Sequence, residues 1–259
     1  MFRFAANLSF LFGDAAFLDR FERAARAGFT GVEYLFPYDH DPAELVARLR
    51  DNRLEQVLFN APPGDWTAGE RGLAALPGRE AEFAASLDTA LRYAEAMDTR
   101  RVHIMAGIGG APQVYRGNLE VAARRFEGSG VTALIEPINR RDMPGYFLAD
   151  FAQAVAVIDA VASDSLRLQF DIYHRQILHG DVTTGLSQTM PIIGHVQIAG
   201  VPSRHEPDTG ELALDQVLGT LRSLGYDGWI GCEYRPRGLT EDGLAWKARW
   251  ETASAARDA

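Results

Sequence analysis

The chain has 259 residues, of which 47% are hydrophobic and 24% charged, with a formal net charge of -9 and a pI of about 5.2. This is the composition of a globular protein with a sizeable core, and its acidity disfavours a nucleic-acid partner because phosphate backbones are repelled. The single cysteine, Cys232, excludes an internal disulfide, and no apolar run reaches the roughly 18 residues of a membrane span; the expected setting is cytoplasmic, with no membrane partner.

The first run, MFRFAANLSFLFGD, is apolar but is interrupted by Asn7, Ser9 and Asp14 and lacks a small-residue cleavage site. It therefore predicts a strand, Phe2–Leu8, and not a signal peptide. Helix Ala15–Ala27, strand Gly31–Phe36, helix Pro42–Asn52 and strand Leu54–Asn60 follow. Next come helix Arg79–Met97, strand Arg101–Met105, helix Tyr115–Gly128 and strand Val131–Pro137. Then the pattern gives helix Asp150–Val161, strand Leu166–Asp171, helix Ile172–His179 and strand Ile193–Ala199. Helix Leu214–Leu224, strand Trp229–Tyr234 and helix Glu241–Ala255 complete the series.

Local punctuation agrees with these boundaries. Gly28, Gly130 and Gly225 each follow a helical run and precede a strand, and Asp41-Pro42 supplies an N-cap before a first-turn proline. Eight strands alternating with helices predict a parallel sheet, and eight such units predict closure. The expected fold is thus α/β, a (β/α)8 TIM barrel, with residues 1–259 as a single domain. The Gly- and Pro-rich stretch Asn60–Gly78, which contains Trp66, predicts a long loop covering the active-site face.

Catalytic side chains of such barrels project from the C-terminal ends of strands. Strand five ends in Glu136, strand six in Asp171 and strand eight in Glu233, and strand seven carries Gln197 near its end. Any one of these acids alone is explained by a structural role, and Asp171 is also placed to cap the helix at Ile172. Three carboxylates on one rim, however, repel one another unless a cation joins them. An all-oxygen donor set suits Mg²⁺ or Mn²⁺, with Co²⁺ as an alternative, better than zinc. No organic cofactor is indicated. Lys247 is the only lysine and sits in a helical pattern, so a Schiff-base mechanism lacks a candidate.

His174, three residues beyond Asp171, and the loop pair Arg204 and His205 are candidate substrate-binding residues. His195 lies inside a strand and reads as core or as support for the site. Glu33, within GVEYLF, reads equally as a residue pointing into the barrel and as half of a buried ion pair. Cys232 alternates with Glu233 and should face the helix layer, inert. His40, His103 and His179 carry no positional signal.

Taken together, the segments FAANLSFLF, RAGFTGVEYLFPYD, LFNAPPGDWTAGERGLAALPGRE, IEPIN, QFDIYH, HVQIAGVPSRHEPDTGEL and GYDGWIGCEYRP resemble the hydroxypyruvate isomerase family, within the xylose-isomerase-like barrel superfamily. The resemblance implies that Glu136 and Glu233 act as an acid/base pair as well as metal ligands, and that Asp171 and Gln197 complete the metal site. It places His174 against substrate oxygens. The expected reaction converts hydroxypyruvate to tartronate semialdehyde by proton transfer through an enediolate. A 2-oxo-tetronate isomerase or a ketose 3-epimerase is the nearest alternative; a metal-dependent endonuclease of this fold and a non-catalytic sugar-acid binder are alternatives of other classes. The stretch from His103 to Val131 is shorter than such proteins usually carry. The expected partner is a small hydroxy-oxo acid, and homo-oligomerisation is left open.

Overall fold

A computed structural model describes residues 2–252. The last three residues of the helix expected to end at Ala255 lie outside the described residues, as does Met1. Eight parallel strands close into a barrel in the order β1 to β8. They are Arg3–Asn7, Gly31–Tyr34, Glu55–Asn60, Arg101–His103, Thr132–Ile135, Leu166–Asp171, Ile193–Ile198 and Trp229–Cys232. Closure is made by β1 on β8, from Arg3 opposite Trp229 to Ala6 opposite Cys232.

Helices α1 (Arg20–Arg26), α2 (Pro42–Asn52), α3 (Glu80–Ala96), α4 (Pro112–Phe126) and α5 (Phe151–Val161) each bridge successive strands. The connection from β6 to β7 holds two helices where one was expected, α6 (Ile172–Leu178) and α7 (Val182–Thr189). Gly180 at φ 60° and Asp181 at φ 44° break the chain between them, and that turn interrupts the apolar periodicity. Helices α8 (Leu214–Ser223) and α9 (Ala245–Thr252) follow. The N-cap read from sequence is formed, with Asp41 accepting from Ala43 N; Asp150, expected as the first residue of its helix, caps α5 instead by accepting from Gln153 N.

Alternation along β1, β5 and β8 separates two cores. Phe4, Ala6, Ala133, Ile135, Ile230 and Cys232 join the large cluster between sheet and helices. Ala5, Leu134 and Trp229 from the intervening positions pack with Val57 and Leu58 inside the barrel. Cys232 is buried on the helix side as expected, and burial pushes its thiol pKa up. Lys247 is also buried, held by Gly28 O and Glu251, which is a structural role. Among the described residues, no helix is long and apolar enough to cross a membrane.

Candidate active site

The ends of β5, β6 and β8 deliver Glu136, Asp171 and Glu233 to one end of the barrel, and all three are buried. A cavity of about 290 Å³ opens there, lined by Glu136, His174, Arg204 and Glu233, with His103 and Gln169 beside them. Phe10, Leu35, Trp66, Met105, Ile138 and Met143 supply apolar walls.

Asp171 caps a helix, as its sequence position allowed. Its Oδ1 caps α6, accepting from Tyr173 N at 2.7 Å and His174 N at 3.3 Å. Its Oδ2 is buried with no hydrogen-bond partner among the described residues, as is Glu136 Oε1. Burial, together with the charges of Asp171 and Glu233, raises the Glu136 pKa well above the carboxylate range. Burial likewise pushes Asp171 up to about 6 and Glu233 up to about 8, although Arg204 opposes both rises.

His174 lies between these acids, with Nε2 3.6 Å from Asp171 Oδ2 and 3.9 Å from Glu136 Oε1. One ligand atom each from Glu136, Asp171 and His174 falls within 4.8 Å of the others, a grouping that could hold a cation. The far side of the ring decides its role. Asn139 N–H donates to His174 Nδ1 at 3.3 Å, and Asn139 Nδ2 lies 2.7 Å from it. Nδ1 is thereby assigned as an acceptor, which puts the proton of the neutral ring on Nε2. Burial and Arg204 keep the ring neutral, with its pKa well below the ordinary value. His174 therefore presents an N–H donor to the cavity.

Glu233 is held differently. Its Oε1 accepts from Arg204 Nη2 at 2.5 Å, and its Oε2 accepts from Asn7 Nδ2 at 3.0 Å and Gln197 Nε2 at 2.7 Å. Asn7 and Gln197 also donate to Glu33 Oε1, and Glu33 Oε2 lies 2.7 Å from His195 Nε2. Glu33 thus satisfies both readings of its sequence position: it points into the barrel and it pairs with a buried histidine. His195 belongs to the support of the site. Gly231 makes room for this arrangement, because a Cβ there would lie 2.3 Å from Glu33 Oε1.

One expected placement changes, that of His205. Gln197 reaches the site, but its Oε1 accepts from Gln169 Nε2 at 2.6 Å and its nitrogen clamps two carboxylates, so its oxygen is engaged within the protein. His205 does not line the cavity; its Nδ1 lies 2.7 Å from Arg235 O, and its side chain faces a separate cleft with Pro202 and Arg237. The φ of 55° at Arg204 turns the chain there, so consecutive side chains diverge and only Arg204 enters. His103 was missed. It ends β4, lines the cavity and sits with Nε2 3.8 Å from Glu136 Oε2, held neutral by burial with its pKa lowered to about 3. The strand-end rule would have found it had the expected strand not overrun to Met105.

The xylose isomerase-like TIM barrel family matches residues 21–250. The 2-oxo-tetronate isomerase of Cupriavidus necator is 55% identical over 251 residues, covering 94% of this chain and 96% of that protein. The hydroxypyruvate isomerase of Escherichia coli strain K12 is 46% identical over 253 residues, covering 95% and 98%. A crystal structure of an AP endonuclease, family 2, from Brucella melitensis superposes with a TM-score of 0.95 at 49% identity, covering 96% of this chain and 99% of that one. With the barrel closed in the expected order, its acids gathered on one rim and the match spanning most of its length, the chain belongs to the xylose isomerase-like TIM barrel family.

Proposed function

We propose that the chain is an isomerase of small hydroxy-oxo acids that transfers a carbonyl between C2 and C3 of a 2-oxo carboxylate. The observation that carries this reading is Glu136 and Glu233, two buried carboxylates lining one small cavity beside a neutral histidine donor. Hydroxypyruvate and a 2-oxo-tetronate share a carboxylate, a 2-oxo carbon and a hydroxyl on C3, and differ by a hydroxymethyl group. The relative at 55% identity bears the name of the longer acid, which favours the four-carbon substrate over hydroxypyruvate.

The residues present fit one divalent cation, Mg²⁺ or Mn²⁺, because Glu136 Oε1 and Asp171 Oδ2 are buried oxygens with no hydrogen-bond partner among the described residues. Glu136 and Asp171 would hold it. Glu233 and Gln197 would join by giving up their hydrogen bonds to Arg204 and Gln169. Bound there, the cation would polarise the adjacent substrate oxygens and favour the ionised form of the glutamate that accepts the proton, while the other starts protonated.

The protein's own groups then divide the proton traffic. One glutamate takes the C3 proton and the other returns a proton at C2, while the hydroxyl proton passes from O3 to O2. Glu136 and Glu233 serve opposite ends of this transfer, and reversing the direction exchanges their roles. His174 Nε2–H donates to a substrate oxygen and steadies the enediolate. The apolar walls exclude water from it.

The test is a panel assay on metal-stripped protein with Mg²⁺, Mn²⁺ or Co²⁺ added back. Its substrates are hydroxypyruvate, a 2-oxo-tetronate, a neutral ketose and abasic duplex DNA. Metal-dependent turnover of the acids is expected, fastest on the four-carbon one. Full activity without metal would overturn the cation, and DNA cleavage without acid turnover would overturn the isomerase.

A further inference from the structure

An acid substrate brings a carboxylate into a cavity that already holds Glu136, Asp142 and Glu233, so a cationic side chain must receive it. Arg204 is already engaged: Nη2 lies 2.5 Å from Glu233 and 3.5 Å from Asp171, and Nη1 lies 3.8 Å from Asp142. His205 faces another cleft. Arg235 lines the cavity but is exposed, with its side chain unanchored by any ion pair among the described residues.

Arg71 is different. It lines the same cavity, half-buried, with no carboxylate in ion-pair range among the described residues. Its Nη1 donates to Trp66 O at 3.0 Å and Glu70 O at 2.7 Å. Its guanidinium carbon stacks 3.9 Å from the Trp66 ring centroid, and that ring packs on Phe36. Nε and Nη2 make no hydrogen bond within the described residues, which leaves one edge of the guanidinium fork for a ligand.

The backbone that presents Arg71 is pinned. Gly72 has φ 116°, and a Cβ there would lie 2.2 Å from Met105 O, so only glycine permits this approach. Gly72 N donates to Pro63 O, Gly72 bridges to Ala106, and Ala75 N donates to Ala106 O. The loop 61–78 is therefore a built wall tied to the segment after β4, and Arg71 is already ordered before a ligand arrives.

We propose that Arg71, stacked on Trp66, is the specificity-determining residue that binds the substrate carboxylate through Nε and Nη2. The fork geometry suits bidentate carboxylate recognition, and lysine would supply the charge without the fork. Holding the carboxylate at the loop leaves C2 and C3 toward the two glutamates. A neutral ketose would leave the guanidinium unpaired, which selects for acids. The proposal rests on the acid-isomerase reading above.

The experiment compares wild type with Arg71→Gln, Arg71→Lys and Trp66→Ala by steady-state kinetics on the 2-oxo-tetronate. It also follows calorimetric binding of pyruvate, which carries the 2-oxo carboxylate but has no hydroxyl to isomerise. Arg71→Gln should raise KM about 10–100-fold with kcat nearly retained, weaken pyruvate binding in parallel and leave the melting temperature unchanged. Arg71→Lys should recover part of the loss, and Trp66→Ala should show a smaller KM rise. A KM and a pyruvate affinity within twofold of wild type in Arg71→Gln would overturn the anchor; so would a fall in kcat together with melting temperature, which marks a structural role. If wild type turns over no acid yet binds pyruvate in an Arg71-dependent way, the isomerase reading fails and the anchor stands. If wild type neither turns over acid nor binds pyruvate, both fall.

Discussion

Glu136 and Glu233 line one cavity, but their surroundings are opposites. Glu233 accepts from Arg204, Asn7 and Gln197, and behind it Glu33 and His195 extend the network through β2 and β7. Across the cavity Glu136 Oε1, Asp171 Oδ2 and His103 Nε2 are buried without hydrogen-bond partners among the described residues. A buried polar atom left unpaired costs about 1–3 kcal/mol, so the two carboxylates on the β4–β6 side are left short of partners, whereas on the β7–β2 side both oxygens of Glu33 and of Glu233 are paired and the unpartnered atoms are His195 Nδ1 and Arg204 Nε. One side fixes a carboxylate in place and the other leaves room for what must enter.

The largest effect should come from removing either proton carrier. Glu136→Gln and Glu233→Gln should each lower turnover by about 10²–10⁴-fold, since an amide cannot accept the proton. The comparison predicts a further difference. Glu136→Gln should also weaken cation binding, measured by Mn²⁺ titration, more than Glu233→Gln does. Exchange of the substrate C3 proton with solvent deuterium should vanish in whichever variant lacks the acceptor. Near-wild-type turnover in either variant would leave that residue as a ligand only.

Next in size is the paired side. Glu33→Ala removes the acceptor from Asn7, Gln197 and His195 at once. Breaking such a buried set should destabilise the protein by roughly 3–5 kcal/mol in chemical denaturation. Glu33→Gln should cost less in stability while still lowering turnover through a loosened Glu233. A Glu33→Ala protein as stable as wild type would break the contrast between the two sides.

The smallest effect is a pH dependence. Burial raises the pKa values of Glu136 and of Glu233, the latter to about 8, so the folded metal-free protein retains protons that the unfolded chain releases above about pH 4.5. His103 and His174, with lowered pKa values, act in the other direction, but their contribution is complete above about pH 6.5, where the unfolded histidines are also neutral. Between pH 6.5 and 8 the carboxylates alone set the slope. Metal-free protein should lose stability as the pH rises through this window, and added Mn²⁺ should reverse the loss. A melting temperature that rises across this window would contradict the burial of uncompensated acids.

The barrel was legible because its strands are short apolar runs at regular spacing, and the acids Glu136, Asp171 and Glu233 were legible because each ends such a run. Helix Val182–Thr189 was not, since the turn at Gly180 and Asp181 divides the pattern into pieces too short to show a period. His103 was hidden by a strand that stops two residues sooner than its apolar run. The use of Gln197 as a clamp depends on Gln169 from the next strand, and a cross-strand hydrogen bond leaves no trace in spacing. Arg71 sits in a loop whose path is set by the contact of Gly72 with Met105, again a tertiary fact.

Closure of β1 on β8 brings Asn7 onto Glu233 across 226 residues of sequence. During synthesis, therefore, a nascent chain that has emerged through α6 already carries Glu136, Asp171 and His174, while Glu233 has yet to be made. Such an intermediate has neither the second glutamate nor the β1–β8 seam that holds it. Contacts this far apart in sequence form late and slowly. Catalytic competence should thus arrive together with the final strand.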